Sequence, residues 1–193
     1  MTVNRRMGPP GSAVWHQMLD GAEAILRDEG YGALTSRSVA ERIGVKQRLV
    51  YYYFATMDEL IVQTFRRLAS REVERLEAAL TGNNSLHEVW DVCVHTSDTR
   101  MVSEFMALAN RMEPLREEVV AYIETTRRIQ IAALEQALGK DLAARMPKAA
   151  IAILATSAAL TLHREAAIGI TLGHDEVMKV IEEFIAHYAP LKS

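Results

Sequence analysis

Cysteine, proline and long apolar runs are scarce in this chain of 193 residues. Its single cysteine, Cys93, excludes an intramolecular disulfide framework and suits a reducing cytosol, where we expect a small buried thiol. Five prolines, mostly near the two ends, leave room for long helices. The most apolar stretch, residues 149–162, is too short to span a bilayer, and no signal peptide is visible. These absences predict a cytoplasmic protein without a membrane segment.

Recognisable catalytic motifs are also missing, because the sequence has no nucleophile elbow, phosphate-binding loop or HExxH zinc motif. His87 and His95 lie eight residues apart, but no cysteine or third histidine has matching spacing nearby. We therefore expect no catalytic residues, no metal and no cofactor. The sequence leaves open one alternative class, a small helical enzyme or a ligand-binding protein without a role on DNA.

Charge of one sign is not in large excess, since the formal net charge is -3. The charge is unevenly distributed, however. Residues 35–57 hold four basic side chains, Arg37, Arg42, Lys46 and Arg48, and one acidic side chain, Glu41, which gives +3. A local basic patch of this kind attracts phosphates more than the total charge suggests.

Helical periodicity runs through the chain, and no stretch shows the sustained alternation of a strand. We predict an all-α fold of about nine helices. The predicted spans are about 12–29, a short helix capped by Thr35, 47–54, 56–80, 85–94, 98–112, 114–138, 141–170 and 174–187. Ser12 and Thr35 have the chemistry of N-caps, and Thr56 with Glu59 forms a capping-box pattern.

Two of the short predicted helices flank a turn at Gly44, and this arrangement predicts a helix-turn-helix. Glycine reaches the left-handed backbone conformation that a tight turn requires. Val45 is expected to anchor the turn to the core. The second helix of such a motif can enter the major groove of DNA.

Residues from about Ala22 to Phe65 resemble the DNA-binding domain of the tetracycline-repressor (TetR) family of transcription regulators. The resemblance is carried by Gly30-Tyr31, Ala33-Leu34-Thr35, Arg37-Ser38-Val39-Ala40, Gly44-Val45, Tyr51-Tyr52-Tyr53-Phe54 and Asp58-Glu59-Leu60. We predict a flexible arm over 1–11, an N-terminal three-helix DNA-binding domain over 12–57, and a C-terminal helical ligand-binding and dimerisation domain over 58–193. The resemblance implies a homodimeric, sequence-specific transcriptional repressor that a small hydrophobic organic effector releases from a double-stranded DNA operator.

The resemblance also implies which side chains meet DNA. The predicted set is Thr35, Ser36, Arg37, Lys46, Gln47, Arg48, Leu49, Tyr51, Tyr52 and Tyr53. Arg48 has the donors to pair with a guanine, and Gln47 has the amide to pair with an adenine. The family often has Ser or Thr where this chain has Lys46, so we expect the third helix to lack a side-chain N-cap.

The effector and the second subunit are expected to bind to the part of the chain that follows Leu80. The predicted pocket lining is Trp90, Val94, Met101, Phe105, Met106, Ala109, Met112, Tyr122 and Ile123, a set in which flexible methionines suit an adaptable apolar cavity. A stripe of this kind at helical spacing is also typical of ordinary core. The predicted dimer interface on the last two helices is Ala155, Ala158, Ala159, Leu162, Ile181, Phe184 and Ile185.

Overall fold

A computed structural model describes residues 8–94, 99–138 and 147–190, and those residues form helices and the turns between them. Nine α-helices occur in these ranges, together with one short 3₁₀ turn, Tyr31–Ala33. They are α1 Ala13–Asp28, α2 Ser36–Arg42, α3 Gln47–Tyr53, α4 Met57–Leu80, α5 Ser85–Val94, α6 Thr99–Ala109, α7 Glu113–Ala137, α8 Lys148–Ala166 and α9 His174–Tyr188. The all-α prediction is confirmed.

Some of the predicted boundaries fall outside the described residues. This applies to residues 1–7 of the predicted arm and to the predicted helix starts at residues 98 and 141. None of the helices in the described ranges has the length and apolar character needed to cross a membrane.

Side-chain caps begin the helices at the predicted places. The Ser12 hydroxyl accepts a hydrogen bond from a first-turn amide of α1. Thr35 caps α2, and Ser38 completes a reciprocal capping box with it. The Thr56 hydroxyl accepts from the backbone N–H of Glu59 at 3.1 Å, at the start of α4. These bonds satisfy amides that the first turn of a helix otherwise leaves without partners.

Contacts within the chain divide it into two compact units. Unit 1 contains the residues up to Ala69 together with Arg100–Val119, and unit 2 contains Ser70–Thr99 and the residues from Val120 onward. Unit 1 therefore holds α1–α3 and the first parts of α4 and α7, whereas α5, α8 and α9 belong to unit 2. The division into functional domains at residue 57 stays a prediction.

The core of unit 1 anchors the two short helices of the helix-turn-helix. Val39 of α2 and Val50 of α3 are almost completely buried, and Phe54, directly after α3, stacks on Trp15 with ring centroids 6.0 Å apart. A helix of seven residues is not stable alone in water, so tertiary packing must hold α3 in place. The buried apolar side chains of this unit include Met18, Leu19, Ile25, Leu26, Leu60, Ile61, Phe65, Met101, Phe105 and Leu115.

A buried ion pair joins α1 to α4 within unit 1. Glu23 is only 5% exposed, and its carboxylate lies 2.7 Å from Nη2 of Arg67. Arg67 also approaches the exposed carboxylate of Asp20 at 2.8 Å and donates to the carbonyl oxygen of His16. The guanidinium therefore has partners on several sides, which a buried charge requires.

Unit 2 has a separate apolar core. It is formed where α5, α7, α8 and α9 meet the C-terminal part of α4. Its buried members are Leu76, Ala79, Leu86, Val89, Ile129, Ala133, Leu134, Leu138, Ala152 and Ile185.

We predict that Glu23→Gln destabilises the protein by about 2–4 kcal/mol, because it leaves the Arg67 charge poorly compensated in a buried position. The free energy of unfolding is measured by urea titration. Asp20→Asn is the matched control, since it removes an exposed partner of the same guanidinium and is expected to cost about 1 kcal/mol or less. Equal losses in the two variants would contradict the prediction.

Candidate DNA interface and effector cavity

The turn between α2 and α3 is built by Gly44 and Val45. Gly44 has φ +71°, a left-handed conformation that side chains other than glycine rarely adopt. The backbone N–H of Val45 then donates to the carbonyl oxygen of Ala40 at 2.9 Å. This turn and the buried Val50 hold α3 with its opposite face directed outward.

The outward face of α3 carries the residues that were predicted to contact base edges. Lys46, Gln47 and Arg48 are exposed, whereas Leu49 is half-buried. Lys46 occupies the N-cap position of α3 and makes no capping hydrogen bond through its side chain, as the sequence led us to expect. The start of the helix therefore presents a cation and a guanidinium to solvent, which suits an approach to DNA.

Ser36 differs from its neighbours in the predicted DNA-binding set because it is buried, with 5% exposure. Its hydroxyl accepts a hydrogen bond from Nε2 of Gln47 at 2.8 Å. This bond links the first residue of α2 to the first residue of α3. Ser36 therefore orients Gln47, and the amide of Gln47 must rearrange before both of its ends can pair with a base.

Thr35 and Arg37, near the start of α2, are exposed. Nε of Arg37 donates to the carboxylate of Glu41 at 2.8 Å, and this hydrogen bond and the nearby charge raise the pKa of Arg37. Most of the Arg37 side chain remains in solvent, so the pair is weak and a phosphate can compete for the guanidinium.

The three tyrosines at the end of α3 have unequal exposure. Tyr51 is 38% exposed and Tyr52 is 43% exposed, while Tyr53 is half-buried and packs edge-on against Tyr52. Gly8 is buried beside them, and its N–H donates to the carbonyl oxygen of Tyr52 at 2.8 Å. Tyr51 and Tyr52 therefore remain accessible to solvent, and the end of the predicted arm packs against α3.

Unit 2 contains an apolar cavity between α5, α7, α8 and α9. The cavity has a volume of about 60 Å³, and the empty space is about 480 Å³ when the part open to solvent is included. The lining residues are Leu86, Val89, Trp90, Cys93, Gln130, Leu134, Ile151, Ala152, Ala155, Thr156, Ile181, Phe184 and Ile185. A bulky ligand would require the cavity to expand.

Apart from the indole N–H of Trp90, three side chains supply the polar groups of this cavity, and they are bonded to one another. Oγ1 of Thr156 lies 3.1 Å from Oε1 of Gln130 and 2.7 Å from the carbonyl oxygen of Ala152, and these two acceptors share its single proton. Nε2 of Gln130 donates to Sγ of Cys93 at 3.5 Å. Burial raises the pKa of the Cys93 thiol to about 11, an effect that the Gln130 hydrogen bond partly offsets. The thiol is therefore neutral near pH 7, and the cavity wall carries no charge from it.

The predicted pocket residues do not form one set in the structure. Met101, Phe105, Ala109 and Met112 are buried in unit 1, where Phe105 packs against Phe65, and Met106 is 45% exposed. The remaining four, Trp90, Val94, Tyr122 and Ile123, belong to unit 2, and of these Trp90 lines the cavity. Burial also raises the pKa of the Tyr122 hydroxyl. Ligand contact by the other members stays a prediction.

The predicted dimer residues lie mainly on the inner side of α8 and α9. Ala159 and Ile185 are buried within the chain, while Ala155, Ala158, Leu162, Ile181 and Phe184 are half-buried. Ala155, Ile181, Phe184 and Ile185 are also part of the cavity wall. Other apolar side chains on these two helices are exposed, namely Ile153, Leu154, Leu160, Val177 and Val180.

Sequence analysis missed Gln130 and Thr156 as cavity residues. The signal for them was a hydrogen-bonding side chain within an apolar helix face, since Gln130 stands between Ile129 and Ile131. His87, one of the two histidines considered for metal, instead bonds through Nε2 to the carbonyl oxygen of Ala189 at 2.8 Å. His95 lies outside the described residues, and no group of three potential ligands (His, Cys, Asp or Glu) occurs within them.

Comparison with known proteins gives a family match over the helix-turn-helix. The family described as "Bacterial regulatory proteins, tetR family" matches residues 18–64. The HTH-type transcriptional regulator BetI of Rhizobium meliloti (strain 1021) is 25% identical over 146 residues, which cover 71% of this chain and 72% of that protein.

Solved structures resemble the whole fold. A transcriptional regulator from Rhodococcus sp. Rha1 has a TM-score of 0.70 at 18% identity, covering 92% of this chain and 98% of the other. A transcriptional regulator from Saccharomonospora viridis in complex with choline has a TM-score of 0.73 at 13% identity, covering 89% and 95%. The SmeT–triclosan complex has a TM-score of 0.66 at 19% identity, covering 92% of both chains. Residues 18–64, whose helix-turn-helix turns Gln47 and Arg48 outward, therefore match the family of bacterial regulatory proteins described as the tetR family.

Proposed function

We propose that this regulator is a cytoplasmic repressor that binds a DNA operator as a homodimer and leaves it when a small, largely hydrophobic effector binds in unit 2. One observation carries the proposal. The exposed face of α3 offers Lys46, Gln47 and Arg48 to solvent in unit 1, while unit 2 holds an apolar cavity. A protein that needed no ligand would gain stability by filling such a cavity with side chains.

On the DNA side, the proposal assigns base recognition to α3 and phosphate contacts to the residues around it. Arg48 is exposed and can donate to the O6 and N7 acceptors of a guanine. The proposal assigns phosphate contacts to the exposed side chains of Lys46, Arg37, Tyr51 and Tyr52. Ser36 acts through its hydrogen bond to Gln47 and does not itself touch the DNA.

On the effector side, the proposal assigns ligand binding to the cavity walls of α5, α7, α8 and α9. Two structural relatives were solved with small organic molecules, choline in one and triclosan in the other. This supports a ligand-binding role for unit 2 without identifying the ligand. Release from DNA follows if the effector and the operator favour different conformations, because each then weakens the binding of the other.

The homodimer is proposed from the exposed apolar side chains of α8 and α9. Leu154 is 69% exposed and Val180 is 66% exposed, although both belong to helices whose other faces are packed. Exposed apolar groups concentrated on neighbouring helices are typical of a protein interface. We therefore place the interface on this outer face, beside the half-buried Ala158 and Leu162.

The alternative, an enzyme or a ligand-binding protein with no role on DNA, gives a different result in a direct binding experiment. We expect tight binding to the duplex upstream of the chain's own gene, measured by fluorescence anisotropy across a salt series with excess random duplex as competitor. Sequence-specific binding survives the competitor, whereas purely electrostatic binding disappears as salt rises. No binding even at low salt would contradict the proposal and favour the alternative.

For the recognition helix, we predict that Arg48→Ala costs about 1–3 kcal/mol of operator binding at one or two base positions, because a bidentate guanine contact is lost. The measurement is competitive binding to a set of single-base operator variants. Lys46→Ala is the matched control, since loss of a phosphate contact weakens binding to all operator variants alike and lowers the salt dependence of binding. Uniform weakening by Arg48→Ala would make Arg48 a phosphate contact instead.

For the interface, we predict that Leu154→Glu produces monomers at micromolar concentration and weakens operator binding by about tenfold or more, because it places a charge in an apolar contact. Light scattering coupled to size exclusion measures the mass. Val120→Glu is the matched control, an equivalent change at a 49% exposed position on α7 that should leave the dimer intact. A dimeric Leu154→Glu protein would overturn this placement of the interface.

A further inference from the structure

Arg127 of α7 carries two buried nitrogen atoms that have no hydrogen-bond partner. Its Nε and Nη1 are both inaccessible to solvent and both unbonded. Nη2 of Arg67 is also without a hydrogen bond of good geometry, but it lies 2.7 and 2.8 Å from the carboxylates of Glu23 and Asp20. By contrast, no ion pair within the described residues involves Arg127.

Such a group is costly to maintain. Buried polar atoms in native proteins are nearly always hydrogen-bonded, so two donors without partners carry a desolvation cost even though Arg127 as a whole is only half-buried. A bound ligand that carries acceptor oxygens would compensate it.

Arg127 does not line the cavity of unit 2, but it lies on the same face of α7 as two residues that do. Gln130 and Leu134 line that cavity, and they follow Arg127 by three and seven residues. Side chains at this spacing share one face of an α-helix. All three residues belong to unit 2.

The cavity wall offers little else to a polar group of a ligand. Cys93, Gln130 and Thr156 already have hydrogen-bond partners, and the rest of the lining is apolar except for the indole N–H of Trp90. The apolar wall suits a hydrocarbon or aromatic body. The unsatisfied donors of a guanidinium suit a carboxylate or a sulfonate, to which arginine binds strongly.

We infer that the effector is an amphiphilic organic anion, whose apolar body occupies the cavity and whose anionic group binds Arg127. The inference rests on the effector cavity of the proposed function, and it adds the chemical class of the ligand. Arg127 supplies the charge that compensates the anion, and the anion in turn supplies the acceptors that Nε and Nη1 lack.

Two fluorescent probes with the same apolar body test this inference. Anilinonaphthalene sulfonate carries an anionic group, and N-phenylnaphthylamine lacks it. Each is titrated into the full-length protein without DNA and into three variants, Arg127→Met, Arg127→Lys and Arg128→Met. Arg128 is the matched control, because it is the next residue of α7, is 71% exposed and pairs with Glu124 on the surface.

We expect the wild-type protein to bind the sulfonate probe more tightly than the neutral probe. Arg127→Met should weaken the binding of the sulfonate probe by roughly tenfold or more and leave the binding of the neutral probe nearly unchanged. Arg127→Lys should recover part of the loss, and Arg128→Met should behave as wild type. The thermal unfolding midpoint of Arg127→Met should not fall, since the substitution removes two buried donors that lack hydrogen-bond partners.

The inference would be overturned if Arg127→Met weakened the binding of both probes equally. It would also be overturned if Arg128→Met lost as much affinity for the sulfonate probe, or if Arg127→Met had a lower unfolding midpoint. A wild-type protein that does not prefer the sulfonate would overturn it as well. Operator binding is measured on the same samples without probe. A protein that binds its operator but shows no sulfonate preference refutes the anion site alone. A protein that shows the Arg127-dependent preference but does not bind DNA refutes the repressor proposal and leaves the anion site standing.

Discussion

The packing of Val50 and Phe54 into the core of unit 1 is the constraint on which the proposed DNA recognition depends. Helix α3 is a single short element of seven residues and cannot hold its own conformation in water. Its orientation is therefore set by burial of one face, with Val50 and Phe54 each 1% exposed and Phe54 stacked on Trp15. The opposite face, with Gln47 and Arg48, is directed outward because the apolar face is fixed inward.

The polar contacts around α3 refine this orientation. The Ser36–Gln47 hydrogen bond joins the first residues of α2 and α3, and the contact of Gly8 with Tyr52 lies at the other end of α3. The first contact restricts the solvent-facing side chain of Gln47, and the second ties the backbone of α3 to that of Gly8. In the proposed DNA complex, such restriction before binding would lower the entropy lost on binding.

Apolar side chains serve three different purposes in unit 2. Residues such as Ala133 and Leu76 fill the core, Trp90 and Phe184 stand around the cavity, and Leu154 remains exposed on the outer face of α8. The buried polar groups differ in the same way. The Gln130 amide is satisfied by its neighbours, whereas two nitrogen atoms of the Arg127 guanidinium are not. Unsatisfied polar groups and unfilled space therefore occur together on one stretch of α7.

The sequence by itself determined the helices, their caps and the helix-turn-helix, because these depend on local chemistry. Ser12 and Thr35 cap helices through bonds to amides three residues away, and Gly44 supplies a left-handed turn that its neighbours cannot. Such signals lie within a few residues of one another. Helical periodicity likewise indicated which faces are apolar, and the family pattern over Ala22 to Phe65 indicated DNA binding.

Tertiary structure alone decided what each apolar face contacts, since periodicity identifies a face and not its partner. In the folded chain, Met101 and Phe105 lie in the core of unit 1, Ile185 lines the cavity, and Leu154 is exposed. Tertiary structure also buried Ser36 against Gln47 and left Arg127 without a hydrogen-bond partner at Nε and Nη1. These outcomes depend on residues far apart in the chain, which a pattern within one helix does not encode.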